Sequence, residues 1–434
     1  MDDAKFLLLF ALVGFTAFLS FRYRVIPFVA LVLATCLFCL VLRVDLTWVA
    51  RSFHNGFGQS LAAGGLTILA GILVSWIGAG TGALERLRAG LSPVSRRRLL
   101  WLLALPAGIG GTPLAALAVL QPVLALVEAG RTRAALGAAA IVNALQGALL
   151  PAPLPIAAMA VLQADWRLVL AFGAPLAIAQ ALFGLVITRP APDLPATPLP
   201  SAAPGPGRAV VGYGLAILCL LAMIILNALG QIPSEPLGSG NTREQMIRLG
   251  LPLMLLVIGL GFALLPAGPG AIREALAGEG TVARAITASA GLLLAIGAAG
   301  GLQLVLHQDG FASLAVEAVA EGPAWLGLAL PFLVALVSRV LQGSALTATI
   351  TAAGVMIPLL GPMGLDDPEG RALVVLAVTG GAIGAPHIQD GSFWLACHQA
   401  GLRADQGLRW VTLTALLQAL LGILFLLVLQ ALMR

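Results

Sequence analysis

Long, nearly unbroken apolar runs decide what this chain can fold into. Residues 6–20, 25–42 and 411–432 are examples that approach or reach the length needed to cross a bilayer, which is about 20 residues for roughly 30 Å of hydrocarbon. Counted along the chain, such runs predict about ten to twelve membrane-crossing segments. Lipid offers no partner to a backbone amide, so a spanning segment must be a helix or a strand of a closed barrel. A barrel needs alternating polarity, which continuous runs lack. The expected fold class is an all-α integral membrane protein. With 59% hydrophobic and 10% charged residues over 434 positions, the chain carries far more apolar surface than a water-soluble core could hide.

The net charge of +5 would suggest nucleic acid in a soluble protein. Here the arginines sit in short loops between apolar runs, as the positive-inside bias demands, and no nucleic-acid role is implied. The cluster Arg86, Arg88, Arg96, Arg97 and Arg98 is therefore expected on the cytoplasmic side. Cys36 and Cys39 have redox-pair spacing but no βα context, so these two, with Cys219 and Cys397, read as buried filler. The first apolar run has no clear small-residue cleavage site after it and reads as a retained helix. Arginine in preference to lysine, with heavy Ala/Gly/Pro usage, fits a GC-rich bacterial genome and a bacterial inner-membrane location.

One composition break stands out. Residues 190–208 carry Pro190, Pro192, Pro195, Pro198, Pro200, Pro204 and Pro206 and read as a semi-rigid linker. It divides the chain into a first half, 1–189, and a second, 209–434, as two structural repeats would be divided. Residues 231–248 and 267–284 read as further loops outside the membrane.

Each half also has apolar segments interrupted by glycine, proline and small hydroxyl residues: 106–113 (PAGIGGTP) and 151–155 (PAPLP), then 342–351 (QGSALTATIT) and 380–392 (GGAIGAPHIQDGS). Backbone broken at membrane depth is tolerated where protein buries it or a wet cavity bathes it. Paired breaks in two halves point to a binding site at their interface; the plain alternative is ordinary kinks or turns.

Arg339, Gln342, Ser344, Thr347, Thr349 and Thr351 follow an apolar run. An arginine at the bilayer centre costs at least about 2.5 kcal/mol and demands a partner, water or an interface. A broken helix here would offer free amides and hydroxyls to a carboxylate. In the competing reading the hydroxyls join helices and Arg339 snorkels to the headgroups. His387 and Asp390 lie close together in the other break, beside Gln389, Ser392 and Trp394. Both side chains can carry a proton, so proton coupling is chemically open there. His307 with Asp309, His54 and His398 read as interfacial. No phosphate-cradling loop, H-E-x-x-H or G-x-S-x-G is present, and the histidines lack metal-ligand spacing. No enzyme activity, metal or cofactor is expected.

Four stretches resemble the gluconate permease family of proton symporters. Residues 339–354 (RVLQGSALTATITAAG) resemble its late signature, an arginine before Gln-Gly-Ser with Thr-Ala-Ala-Gly following. Residues 384–395 (GAPHIQDGSFWL) resemble its His-x-Asn-Asp-Ser-Gly-Phe-Trp segment, with Gln389 for the asparagine and Gly391-Ser392 in reversed order. Residues 298–310 (AAGGLQLVLHQDG) and 55–78 are similar to two further family stretches. The resemblance implies a secondary transporter with two inverted repeats, re-entrant hairpins, a homodimer and an elevator-type motion, carrying a sugar acid or other hydroxy-carboxylate with protons. Two departures matter. Residues 106–117 lack the family's first-half acid, and PAPLP lacks a histidine often found there, so neither proton stoichiometry nor gluconate itself is inherited.

The combined expectation is a secondary transporter of a small organic anion. Gln342, Gly343, Ser344, Thr347 and Thr349 would hold the carboxylate and Gly110, Gly111 and Thr112 would present the matching first-half tip. His387 and Asp390 would handle protons, and Arg339 would balance charge. Sodium coupling and cation/proton antiport are the rival transport readings; a membrane-embedded enzyme or a non-transporting subunit is the rival of another class.

Overall fold

The structure, a computed structural model, describes residues 25–194, 199–200, 202–232, 238, 240–308 and 326–433. The expected first helix, Asp309 and the side chain of His307 lie outside the described residues. What is described is helical, with no strand among the described residues. Six helical stretches are long and apolar enough to cross a membrane, or seven if a pair bent by 65° counts as one span. This makes the chain a multi-pass membrane protein. The larger number expected from sequence counted apolar runs, several of which are divided into helices shorter than a bilayer, such as Pro113–Leu124 and Ala329–Gln342.

In chain order, α1 is Pro27–Leu42. Helices α2 (Leu46–Ser60) and α3 (Leu66–Gly80) form one span through a π turn at Leu61–Gly65. Next come α4 (Ala83–Gly90), α5 (Pro93–Gly110), α6 (Pro113–Leu124), α7 (Arg131–Ala148), α8 (Pro153–Leu162) and α9 (Trp166–Thr188). After the proline-rich stretch follow α10 (Gly207–Gly230), α11 (Asn241–Leu249), α12 (Pro252–Leu264), α13 (Pro269–Leu276) and α14 (Thr281–Gln308). The last set is α15 (Ala329–Gln342), α16 (Ala345–Met356), α17 (Pro368–Ile383), α18 (Gly391–Ala400), α19 (Ala404–Gly407) and α20 (Leu413–Met433). The stretches expected as loops at 231–248 and 267–284 hold α11 and α13. Both are short helices with charged residues in their turns, Glu244 and Arg248 in α11 and Arg273 in α13, so they are polar without being unstructured.

The same packing pattern occurs twice. Helix α5 lies on α6 and α7, and α15 lies on α16 and α17. Crosswise, α8 packs on α16 and α17 while α18 packs on α6 and α7. Helices α9 and α20 cross at the rear through reciprocal contacts. The Gln180 amide donates to the Gln418 carbonyl and the Gln418 amide to the Gln180 carbonyl, both at 2.9 Å. Each glutamine faces a glycine of the opposite helix: a Cβ at Gly184 would lie 2.5 Å from Gln418 Nε2, and one at Gly422 would lie 2.4 Å from Gln180 Nε2. Small residues allow such close approach, and side-chain amides hold helices together where lipid supplies no hydrophobic drive.

Two short helices, α6 and α18, start at the centre of the molecule and run to one end. At the end of α6, Arg88 and Arg96 donate to the carbonyls of Ala125 (2.7 Å) and Leu126 (3.2 Å). At the end of α18, Thr132 donates to the Ala400 carbonyl at 2.9 Å. This is the end that holds the basic cluster. Helix α8 ends at the other side, where Arg371 donates to the Leu162 carbonyl at 3.0 Å.

Candidate functional site

The sequence breaks α5 from α6 with Gly111 and Thr112, both in extended geometry, and Pro113 takes the first helical position of α6, where its missing N–H costs nothing. Thr112 caps α6, accepting from the Ala115 amide at 3.3 Å. Between α15 and α16 the break is Gly343 and Ser344. Gly343 has φ +68°, and a Cβ there would lie 2.7 Å from the Gln389 carbonyl oxygen, so glycine is required on two counts. Ser344 caps α16 and accepts from the Thr347 amide at 3.3 Å. The third break spans residues 384–390 and ends in Asp390, which caps α18 by accepting from the Ser392 amide at 2.7 Å.

Broken helices leave carbonyls without intrahelical partners, and buried side chains supply them. The Gln146 amide on α7 donates to the carbonyls of Gly108 and Gly111. Thr379 on α17 donates to the Gly147 carbonyl. Arg339 Nη1 donates to the Gly343 carbonyl at 3.1 Å.

These three breaks meet at one cavity of about 250 Å³. Its wall includes Thr112 and Pro113 of the first break, Gly343 and Ser344 of the second, and Gln389, Asp390 and Ser392 of the third. Arg339 forms part of the wall, and Ser60, Gly300 and Gln303 close it from α2 and α14. The N-terminal ends of α6, α16 and α18 therefore face one space, each adding partial positive charge from unpaired amides. Arg339 is buried and its Nη2 is paired with Asp390 Oδ2. Asp390 Oδ2 also accepts from the Ser392 hydroxyl at 2.7 Å. Measured along α14 from Thr281 at the basic end, the cavity residues Ile296 to Gln303 sit about 22 to 33 Å deep at 1.5 Å per residue. The cavity thus lies on the side away from the basic end.

Of the residues expected in the site, Thr112, Gly343, Ser344, Arg339 and Asp390 come together at the cavity wall. The others lie behind it. Gly110 packs against α10, where a Cβ would meet Ile225 Cγ1 at 2.7 Å, and Gly111 is buried with its carbonyl taken by Gln146. Gln342 bonds Thr351 at 3.2 Å, Thr347 bonds the Ser344 hydroxyl at 3.0 Å, and Thr349 bonds the Ala345 carbonyl at 2.8 Å. His387 is buried within its break, outside the cavity wall. Sequence reasoning missed Ser60, Gln303 and Gln146, since neither residue type nor spacing sets them apart from the other polar residues of their helices. His54 is exposed on α2, and His398 lines a separate cavity near Arg403 and Asp405. The described cysteines are free, and no metal-binding cluster occurs among the described residues.

Comparison with known proteins bears directly on this arrangement. Residues 5–433 match the family described as GntP family permease. A gluconate permease of Pseudomonas aeruginosa is 26% identical over 448 residues, covering 99% of each chain. The Gnt-II system L-idonate transporter of Escherichia coli is 25% identical over 432 residues, covering 96% of this chain and 97% of its own. Among solved structures, Neisseria gonorrhoeae MtrF aligns with a TM-score of 0.32 at 17% identity, over 88% of this chain and 83% of that one, a likeness too slight to carry an argument.

Proposed function

This chain belongs to the GntP permease family, and from that premise we propose that it is a secondary active transporter carrying a sugar acid or related hydroxy-carboxylate inward with protons. The relatives are permeases and transporters, not enzymes, and their printed substrates, gluconate and L-idonate, define the solute class to try first.

One observation carries the reading: a buried arginine and three helix N-termini face a single cavity of about 250 Å³, a size suited to a six-carbon acid. Thr112 and Ser344 would take the carboxylate or its neighbouring hydroxyls, assisted by the amides at the starts of α6 and α16. Gln303, Gln389 and Ser60 are the amide and hydroxyl groups available to the sugar chain.

Coupling follows from charge. Arg339 is one buried cation, and Asp390 already neutralises it. A solute carboxylate entering this space adds a second anion beside one cation, and an unmatched buried charge is strongly unfavourable. Protonation of Asp390 removes that conflict and frees Arg339 for the solute. The empty site then carries Arg339 with an ionised Asp390, and the loaded site carries Arg339 with the solute and a neutral Asp390. His387, buried close to both, is the second candidate for handling a proton.

The twofold packing pattern and the Gln180/Gln418 crossing support two inverted repeats that meet at the site, joined by the stretch 190–208. A homodimer in a bacterial inner membrane completes the proposal. The test is uptake of labelled gluconate and other hydroxy acids by purified protein in sealed liposomes. Accumulation under an inward proton gradient, abolished by a protonophore, is expected. Accumulation only under a sodium gradient would replace the proton by sodium, and failure of both gradients with every acid would overturn the reading.

A further inference from the structure

A second, much smaller cavity of about 40 Å³ lies directly behind the first. The two share Pro113, Arg339, Ala345 and Ser392, so a single layer of side chains separates them. Most of the lining is apolar, but three polar side chains face the space from the far wall: Asn143 from α7, and Thr414 and Gln418 from α20. Asn143 and Gln418 bond each other at 3.3 Å. Thr414 is 4% exposed, and its hydroxyl has no hydrogen-bond partner among the described residues. An orphaned buried hydroxyl beside other polar groups is the setting in which an internal water is held, and 40 Å³ accepts about two or three waters. No sugar acid fits such a space.

The position of the small cavity gives it a direction. On α7 it is bounded by residues from Leu136 to Asn143, about 8 to 18 Å from Arg131 at the basic end. It therefore lies between the solute site and the basic end, on the opposite side of the shared layer from the larger cavity. Ser392 faces both spaces, and its hydroxyl touches the carboxylate of Asp390.

We infer that the small cavity is a water-filled proton path, through which Asp390 releases its proton toward the basic end by way of Ser392 and waters held by Asn143 and Thr414. This rests on the proton-coupled reading of the solute site and adds the route. A proton arriving from the larger cavity binds Asp390 Oδ2. On release, the Asp390 O–H donates to Ser392 Oγ while the Ser392 O–H gives its own proton to the adjoining water. Asp390 returns to a carboxylate, Ser392 is a hydroxyl again, and one proton has crossed the layer. The charged and titratable neighbours of Asp390 are Arg339 on α15 and His387 in the same break. Arg339 keeps its charge throughout and restores its pairing once Asp390 is ionised. The solute takes no part in this path, which separates the two species behind the layer.

The separation makes the path testable at residues that never touch solute. Thr414→Val is nearly isosteric and removes a hydroxyl with no protein partner, so it leaves the fold intact; Asn143→Leu dries the cavity from the other helix. Full-length protein in sealed liposomes is assayed twice with labelled gluconate: exchange against internal gluconate at equal pH, which needs no net proton, and initial uptake under an acid-outside gradient. Both variants should exchange near the wild-type rate while gradient-driven uptake falls at least about tenfold, the lower range of a lost proton-transfer group. Ser392→Thr should retain the drive that Ser392→Ala loses. Wild-type drive in Thr414→Val and Asn143→Leu, alongside its loss in Asp390→Asn, would overturn the path and leave proton coupling standing. Parallel loss of exchange and drive would also overturn it, by placing these residues in the solute site or the fold. If the wild-type protein itself shows no acid-driven uptake, the coupling reading fails and the path falls with it.

Discussion

Arg339 and Asp390 together are the most consequential side chains in the molecule, because each makes the other tolerable. Both are buried in a helix bundle, their contact is direct, and Arg339 also holds the Gly343 carbonyl. Removing one partner of such a pair leaves an uncompensated buried charge, at a cost of about 3 to 5 kcal/mol. Arg339→Gln and Asp390→Ala should therefore each lower the thermal midpoint in detergent, and the double variant should recover part of the loss. Additive losses in the double variant would show that the two are not energetically paired. Asp390→Asn is milder, since the amide oxygen still accepts from the Ser392 backbone N–H and the amide NH2 can donate to the Ser392 hydroxyl. It should keep solute exchange and lose accumulation driven by a proton gradient; retained accumulation would remove Asp390 from coupling. Gly343→Ala combines a left-handed backbone with a 2.7 Å approach to the Gln389 carbonyl oxygen. The backbone term alone is about 1 to 2 kcal/mol, and loss of folded, monodisperse protein is the expected outcome.

At the scale of elements, the crossing of α9 and α20 is the joint on which both halves bear. Gln180 and Gln418 exchange hydrogen bonds with each other's backbone and each sits over the other helix's glycine. Gln418→Leu removes two buried donations, each worth about 0.6 to 1.7 kcal/mol between membrane helices. A measurable drop in the thermal midpoint follows, with Gly184→Leu lowering it further by forcing the helices apart. The primary structure announced this joint in a form that hydropathy overlooks: residues 180–184 read QALFG and residues 418–422 read QALLG. Apolar runs made the helices and the proline-rich stretch legible, because both signals extend over many residues. The three breaks were legible too, since glycine, proline and hydroxyl residues cluster there. Their limits were not: most of 342–351 is regular helix, and only Gly343 and Ser344 are broken. Arg339, Ser344 and Asp390 stood out as polar groups in apolar surroundings. Ser60 and Gln303 did not, because only the folding of α2 against α14 brings them to the cavity.

For the whole molecule, the two ends differ in charge and in their distance from the cavity. Arg86, Arg88, Arg96 and Arg131 gather at one end with the termini of α6 and α18, whereas Asp366, Arg371 and the end of α8 mark the other. From the positive-inside bias we propose that the former end faces the cytoplasm. A cysteine introduced at Arg97 should accordingly react with a membrane-impermeant maleimide only in inside-out vesicles, and one at Asp366 only in right-side-out vesicles. The reverse pattern would invert the orientation. The pairing at the centre carries a consequence for energy conversion. On the proposed coupling, Arg339, the one cation of the cavity wall among the described residues, is matched by one anion in both the empty and the loaded states, and no net electric charge would move in either direction of travel. Such a carrier would read the difference in acidity across the membrane and be blind to voltage. A potassium diffusion potential imposed at equal pH should leave uptake unchanged, so in a cell the solute would be drawn in by the chemical half of the proton-motive force alone.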